Sequence, residues 1–295
     1  MNSSRRRFIQ TAVAASGLAA LTGGLTPPRS FAAQATGNAQ ATENKVKFRL
    51  GVASYTFRNF DRARTLQMTR RAGLPAICFK DMHLAMNSTD EQCAAAATEA
   101  KQAGLDLYSC GVVYMNTPEE VTNAFRYAKA AGMTTIVAAP RPNLLTLVDE
   151  KVKETGIYIA IHNHGPGDGT YPTPEAVMEK VGSLDKRIGI CNDVGHTARI
   201  GGDNVKSFHD FKDRIFDVHF KDVTAATPQG RECICGRGVL DIPAYLQALI
   251  DIGYDRVVSF EHESDANDPL PGLAECVGYV NGVLRVLGTS HSGRV

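Results

Sequence analysis

From Phe48 onward, short apolar runs alternate with longer segments that mix apolar and charged residues. The apolar runs are Phe48–Ser54, Pro75–Lys80, Leu105–Cys110, Met133–Ala138, Ile157–Ile161, Arg187–Cys191, Arg214–Phe220 and Arg256–Phe260. Their length and their polar or glycine borders predict buried strands. The segments between them predict helices, among them Asp61–Ala72, Ser88–Ala103, Leu144–Glu154, Asn204–Phe211, Ile242–Ile252 and Pro271–Leu287. Thr117-Pro118-Glu119-Glu120 and Thr173-Pro174-Glu175 are helix starts, with a cap, a first-turn proline and early acids. Ser88 and Glu91 have the spacing of a capping box. Gly73, Gly104, Gly132, Gly156 and Gly253 stop the helices before the next strand.

Strands separated by helices need parallel crossovers. Eight such units in about 240 residues match the usual size of a (β/α)8 TIM barrel, here an α/β single domain over residues 47–290. A doubly wound open sheet is the alternative. It is weakened because no G-x-G-x-x-G follows the first strand.

Parallel α/β folds carry their chemistry at the C-terminal ends of the strands. There this chain places Lys80 and His83, Tyr114, His162 and His164, Asp193 and His196, His219, Lys221 and Asp222, and Glu261 and Glu263. The stretch Ile188–His196 shows the pattern best: an apolar run, then a carboxylate and an imidazole around a break at Gly195. Residues two apart on a strand share a face, so His162 and His164 both reach inward, as do Glu261 and Glu263. Carboxylates and imidazoles gathered at four strand ends imply one shared metal site. Mixed oxygen and nitrogen donors suit Mn, Zn, Co or Fe rather than a calcium cage.

The N-terminus changes the setting. Ser4–Ile9 reads S-R-R-R-F-I, a weakly apolar run follows over 11–25, and Ser30-Phe31-Ala32-Ala33 is a small-residue cleavage pattern. These features predict a twin-arginine export signal over 1–33, a periplasmic or otherwise exported destination, and a flexible linker over 34–46. Residues 1–33 hold four arginines and no acid, so without them the formal net charge falls from +1 to −3. No block of Lys or Arg remains, which argues against nucleic acid and against a membrane as partners of the mature form. A homo-oligomer is compatible with the sequence. Seven cysteines are an awkward, odd number for an exported chain. Cys78, Cys110 and Cys191 fall in strands and are expected in the core, and Cys233-Ile234-Cys235 lacks the spacing of a zinc knuckle.

The motifs Asp193-Val194-Gly195-His196, His219-Phe220-Lys221-Asp222, Gly236-Arg237-Gly238-Val239-Leu240-Asp241 and Ser259-Phe260-Glu261-His262-Glu263 resemble those of the xylose isomerase-like TIM-barrel family. That family includes sugar phosphate isomerases and epimerases and the type 2 AP endonucleases. The resemblance covers about residues 48–288. It implies that Asp193, His219 and Glu261 are metal ligands, that His196 holds substrate or a further metal, and that Arg237 binds substrate. Many members end the fifth strand in Glu-Asn-His, whose Glu is both ligand and acid/base. Here His162-Asn163-His164 stands instead, so His162 takes the ligand place and one carboxylate of the epimerase pair is missing. Members with H-N-H include dehydratase-like enzymes acting on keto-inositols.

These readings imply a metal-dependent isomerase or epimerase acting on a keto-sugar through an enediolate, with a small carbohydrate as partner. Glu261 is the first choice of base, with His164 and Glu263 as alternatives. Lys80, His83, His196, Lys221 and Arg237 are expected to bind hydroxyls or a negative group. A lyase or dehydratase acting on 3-keto-glycosides or keto-inositols is the second reading, and a non-catalytic sugar-binding barrel the third. Net acidity and export argue against an endonuclease.

Overall fold

The computed structural model describes residues 46–287. The expected export signal, residues 34–45 of the expected linker and residues 288–290 of the expected barrel lie outside the described residues.

The chain runs β1 (Arg49–Ala53), α1 (Arg62–Arg71), β2 (Ala76–Phe79), α2 (Asp90–Gln102), β3 (Asp106–Met115), α3 (Pro118–Ala130), β4 (Thr135–Pro140), α4 (Leu145–Thr155), β5 (Tyr158–His162) and α5 (Pro174–Val181). It continues with β6 (Ile188–Asp193), α6 (Val194–Arg199), α7 (Asn204–Asp210), β7 (Ile215–Phe220), a hairpin of β8 (Asp222–Val223) and β9 (Glu232–Cys233), α8 (Ile242–Asp251), β10 (Val257–Phe260) and α9 (Leu270–Val286). Strands β1 to β7 and then β10 close a barrel, and every neighbouring pair in it is parallel. This is the TIM-barrel architecture that the alternation of runs implies.

Period-two alternation sorts the strand residues into two layers. Ile159 and Ile161, Ile188 and Ile190, and Val218 and Phe220 face outward and join the large core under the helices. Cys78, Tyr108, Val137, Ala160, Cys191 and Val257 form a second, smaller cluster that fills the barrel. Two residues further along the same strands come His162 after Ala160, Asp193 after Cys191 and, past Ser259, Glu261. The barrel face therefore turns from apolar to chemical at the C-terminal ends.

Three segments differ from the expected outline. Strand β3 extends to Met115, because beyond a register shift Val113–Met115 pairs with Ala138–Pro140. The capping box at α2 uses Thr89 and Gln92, one residue beyond the expected Ser88 and Glu91. Ser88 instead closes a turn onto Ala85, and its carbonyl accepts from Arg126. The break expected at Gly195 is a helix, α6, whose first turn is capped by Asp193.

The loop between β7 and α8 folds around Asp222, whose buried carboxylate accepts backbone N–H bonds from Val223, Gly236, Gly238 and Leu240. A Cβ on Gly238 would lie 2.2 Å from Asp222 Oδ1. Gly238→Ala is therefore expected to push the carboxylate off its donors and lower stability by about 1–3 kcal/mol. Thermal unfolding checks this, and an unchanged midpoint would show that the loop gives way freely.

Candidate active site at the barrel mouth

Four side chains from four strands meet at the C-terminal end of the barrel. His162 Nε2 lies 3.4 Å from Asp193 Oδ2 and 3.1 Å from His219 Nδ1, and His219 Nδ1 lies 3.3 Å from Glu261 Oε2. One donor atom from each of the four falls within 4.8 Å of the others. The ends of β5, β6, β7 and β10 deliver them, so residues up to 99 positions apart in sequence share one point, as strand closure in a barrel requires.

Local chemistry sets each orientation. Asp193 Oδ1 accepts from His196 N at 2.8 Å, the N-cap of α6, which leaves Oδ2 to face the cluster. The backbone N–H of Asp193 donates to Asn163 Oδ1, and Asn163 Nδ2 donates to Thr197 Oγ1. The middle residue of His162-Asn163-His164 thus points away from its neighbours and ties the end of β5 to β6 and α6. Gly195 leaves room for Lys221: a Cβ there would lie 2.7 Å from Lys221 Cγ. The D-x-G-H spacing therefore has three local reasons: a cap, a close approach and a histidine at the rim.

Lys221 sits inside the cluster rather than at its edge. Its ammonium is 2.6 Å from Glu261 Oε2, 2.6 Å from Glu263 Oε1 and 3.0 Å from Asp193 Oδ2. Burial by itself would lower the Lys221 ammonium, but Asp193, Glu261 and Glu263 carry it well above its ordinary value. Burial would likewise raise Asp193, yet His196 and Lys221 hold it well below the usual carboxylate range. Glu261 is held low against burial by Lys221 and His219. Burial pushes His162 down to about 3, so it is a neutral imidazole with a free lone pair at neutral pH. For His219 the effect of burial is outweighed by Glu261, and the ring is raised from its ordinary value.

These donors fit a divalent cation. Three carboxylates face one ammonium, which leaves the cluster anionic, and His162 Nδ1 and His219 Nε2 are buried without a hydrogen-bond partner. Imidazole nitrogen with carboxylate oxygen is a donor set for Zn, Mn, Fe or Co. Cys191, one layer below, also lies within reach of His162 and His219. Burial keeps its thiol well above its ordinary value.

The remaining expected site residues fall into two groups. His164 is at the rim, where its Nε2 contacts the Tyr114 hydroxyl at 3.1 Å and its Nδ1 lies 3.3 Å from Asp168 Oδ2. Its ring stacks on Tyr114 and meets His162 edge-on. Burial lowers its pKa. His196 stands 4.0 Å from Asp193 Oδ2, and Glu263 joins through Lys221. Asp168, which orients His164, was not among the residues singled out from the sequence. It lies on an irregular loop where strand periodicity says nothing, and only its spacing of four from His164 could have marked it.

Three expected substrate contacts are engaged with other groups of the protein. His83 is buried, and both ring nitrogens are taken within the protein: Nδ1 by Ser54 Oγ, Nε2 by Thr65 Oγ1 and the carbonyls of Phe57 and Phe60. It pins the turn after β1 to α1. Arg237 is exposed and pairs through two bonds with Glu275 on α9. Lys80 reaches the Val112 carbonyl at 3.5 Å and lies over the Tyr55 ring, outside the carboxylate cluster.

Comparison with known proteins agrees with this architecture. The Rhizopine catabolism protein MocC of Rhizobium meliloti is 31% identical over 153 residues, 46% of either chain. The inosose dehydratase of Lacticaseibacillus casei is 26% identical over 136 residues, 41% of this chain and 45% of that one. The matched stretch spans about half the length of these curated relatives. The structure of L-ribulose 3-epimerase superposes with a TM-score of 0.67 at 17% identity, covering 82% of this chain and 96% of that one, a likeness of fold. A family model described as xylose isomerase-like TIM barrel matches residues 47–278. The chain belongs to the xylose isomerase-like TIM-barrel family.

Proposed function

We propose that this protein is a divalent-metal-dependent lyase that removes a β-leaving group from a keto-sugar or keto-cyclitol, with isomerisation or epimerisation of a keto-sugar as the second reading. The observation that carries the choice is the one-sidedness of the two glutamates. Glu261 and Glu263 both come from the end of β10 and both bind Lys221, while the facing strand β5 offers imidazoles. An epimerase needs acid/base groups on two faces of one carbon, whereas elimination needs a base and a proton donor for the departing oxygen. The similarity to an inosose dehydratase supports the same reading.

A cation held by His162, Asp193, His219 and Glu261 would act as a Lewis acid on the substrate carbonyl and its neighbouring hydroxyl, making the α C–H more acidic. His164, kept neutral by burial and oriented by Asp168, is placed to take that proton. The Tyr114 hydroxyl, whose pKa burial raises, keeps its proton and can give it to the leaving oxygen. Lys221 holds Glu261 and Glu263 in place and limits repulsion between them. His196, with Arg199 at its Nδ1 and Asp193 4.0 Å from its Nε2, would bind a hydroxyl. The second reading would use Glu261 or Glu263 as the base and return the proton to the substrate.

The N-terminal twin-arginine pattern supports export, and a non-phosphorylated keto-glycoside outside the inner membrane suits that destination. Incubating metal-loaded protein with keto-inositols and 3-keto-glycosides in deuterated water, followed by NMR, tests the reading. Elimination yields a conjugated enone and a released hydroxyl compound. Deuterium uptake at the α carbon with no leaving group lost would favour epimerisation, and binding without either points to a sugar-binding barrel. His164→Gln is expected to slow elimination by roughly 10²- to 10⁴-fold, the usual worth of a general base.

A further inference from the structure

The sheet ladder of β10 ends before the residues that serve the site. Phe260 is its last paired residue, and beyond it Glu261 N reaches back to Phe220 O at 3.1 Å. Yet the side chains of 261–264 go on alternating. Glu261 and Glu263 turn to Lys221, while His262 and Ser264 turn to one carboxylate, Glu232. His262 Nδ1 lies 2.6 Å from Glu232 Oε1, and Glu232 Oε2 accepts from Ser264 N at 2.9 Å and from Ser264 Oγ at 2.6 Å. The Glu232 and His262 side chains are only 7% and 1% exposed, so these bonds are shielded from water. His262 N donates to Thr56 Oγ1, and its ring is wedged over α9, where a Cβ on Gly272 would stand 2.3 Å from Nε2.

Glu232 reaches this segment from the hairpin that follows Lys221 directly. Asp222 and Val223 of β8 pair with Cys233 and Glu232 of β9. The hairpin therefore carries the ammonium at its root and the gripping carboxylate on its returning strand. Segment 261–264 is held by both, its odd residues by Lys221 and its even ones by Glu232. Glu263 depends on the grip most. It stands between the two gripped residues, it is partly exposed, and among the described residues its carboxylate binds Lys221 alone. The same ammonium touches Asp193 Oδ2 and Glu261 Oε2, the oxygens that face His162 and His219. A cation in the cluster needs those oxygens, and Glu263 gives the ammonium a partner outside it.

We propose that Glu232 is a positioning residue for the site: by gripping His262 and Ser264 it holds the Glu263 carboxylate against Lys221, and so draws the ammonium away from the oxygens that a cation uses. The part that concerns the cation rests on the metal reading above, whereas the grip does not. Without Glu232, buried donors on His262 and Ser264 lose their acceptor. The segment past β10 then has no ladder to keep its alternation, and Glu263 turns to solvent. Lys221 is left on Asp193 and Glu261 alone, where it competes with an incoming cation.

Glu232→Gln keeps the size of the side chain and loses an acceptor, and Glu263→Gln removes the outer partner of the ammonium. These two and their double variant are unfolded in urea as full-length, metal-free proteins, and are separately titrated with cobalt(II) by its visible absorption. Glu263→Gln is expected to lower the urea midpoint of the wild type but to add little in Glu232→Gln, where the pair it breaks is already loose. Each single variant is expected to bind cobalt(II) roughly 10-fold more weakly, and the double variant no more weakly than either. Additive losses in either measurement would show that Glu232 only braces its hairpin and would overturn the proposal, as would wild-type behaviour of Glu232→Gln. Wild-type protein that takes up no cobalt(II) would remove the metal reading, and the urea cycle alone then upholds or overturns the grip. Ser264→Ala, which keeps the backbone bond and loses only the hydroxyl, takes the place of Glu232→Gln in the same cycle if that variant does not fold.

Discussion

Asp193→Asn is expected to empty the cluster of metal and to lower kcat/KM by roughly 10³-fold, the factor that corresponds to several kcal/mol of Lewis-acid stabilisation. The substitution is chosen because Asp193 has two separable roles. Its Oδ1 caps α6 by accepting from His196 N, and an asparagine oxygen does the same. Its Oδ2 faces His162 and Lys221 with a full negative charge, and there an amide is a poor ligand. Elemental analysis of the purified protein measures the loss of metal, and circular dichroism confirms that the barrel persists. A variant that kept stoichiometric metal and full turnover would sink the assignment of the cluster.

Lys221→Met is expected to be the most destabilising single change in the metal-free protein. Removing the ammonium leaves Asp193 and Glu261 buried without the one cation that both of them face. Breaking a buried ion pair from one side costs about 3–5 kcal/mol, which in a barrel of this length shifts the midpoint by roughly 10 °C. A divalent cation should restore more stability to the variant than to the wild type, because it neutralises the same oxygens. The acid response should change too. In the wild type Asp193 and Glu261 are held below their ordinary values. They therefore stabilise the fold above the usual carboxylate range, and this is lost as pH falls through their folded values. Without Lys221 the depression shrinks, so the variant should lose less stability on acidification. Thermal melts across pH, with chelator and with Mn or Zn, check all of this. Equal stability of the two metal-free proteins would show that the ammonium does not neutralise the cluster.

How far the molecule is legible without coordinates varies along the chain. Each barrel strand is an apolar run, and the stops of α1, α2, α3, α4 and α8 are marked by Gly73, Gly104, Gly132, Gly156 and Gly253, all at positive φ. Strand ends and a period of two place His162, Asp193, His219 and Glu261 on the inner face, while their reading as one ligand set comes from the family resemblance. His83 could not be placed the same way. It follows β2 by a turn, where alternation no longer applies, and the hydroxyls of Ser54 and Thr65 decide its orientation. Arg237 sits in a glycine loop whose direction depends on the buried Asp222 carboxylate and on Glu275 across the gap. Helix α6 escaped notice because six residues carry too little periodicity, even though Asp193 and His196 have the spacing of a cap and its third residue.

By itself the sequence determined the alternation of strand and helix, hence the parallel barrel, and the strand ends at which polar chemistry would appear. Those follow from local patterns, since burial selects residue types at a fixed repeat whatever the rest of the chain does. Only the tertiary structure decided that Lys221 stands among three carboxylates, that His83 is a structural pin, and that Glu232 grips His262 and Ser264. Each of these is a contact between distant segments, set by how loops close over the barrel, and nothing in local spacing encodes such a meeting.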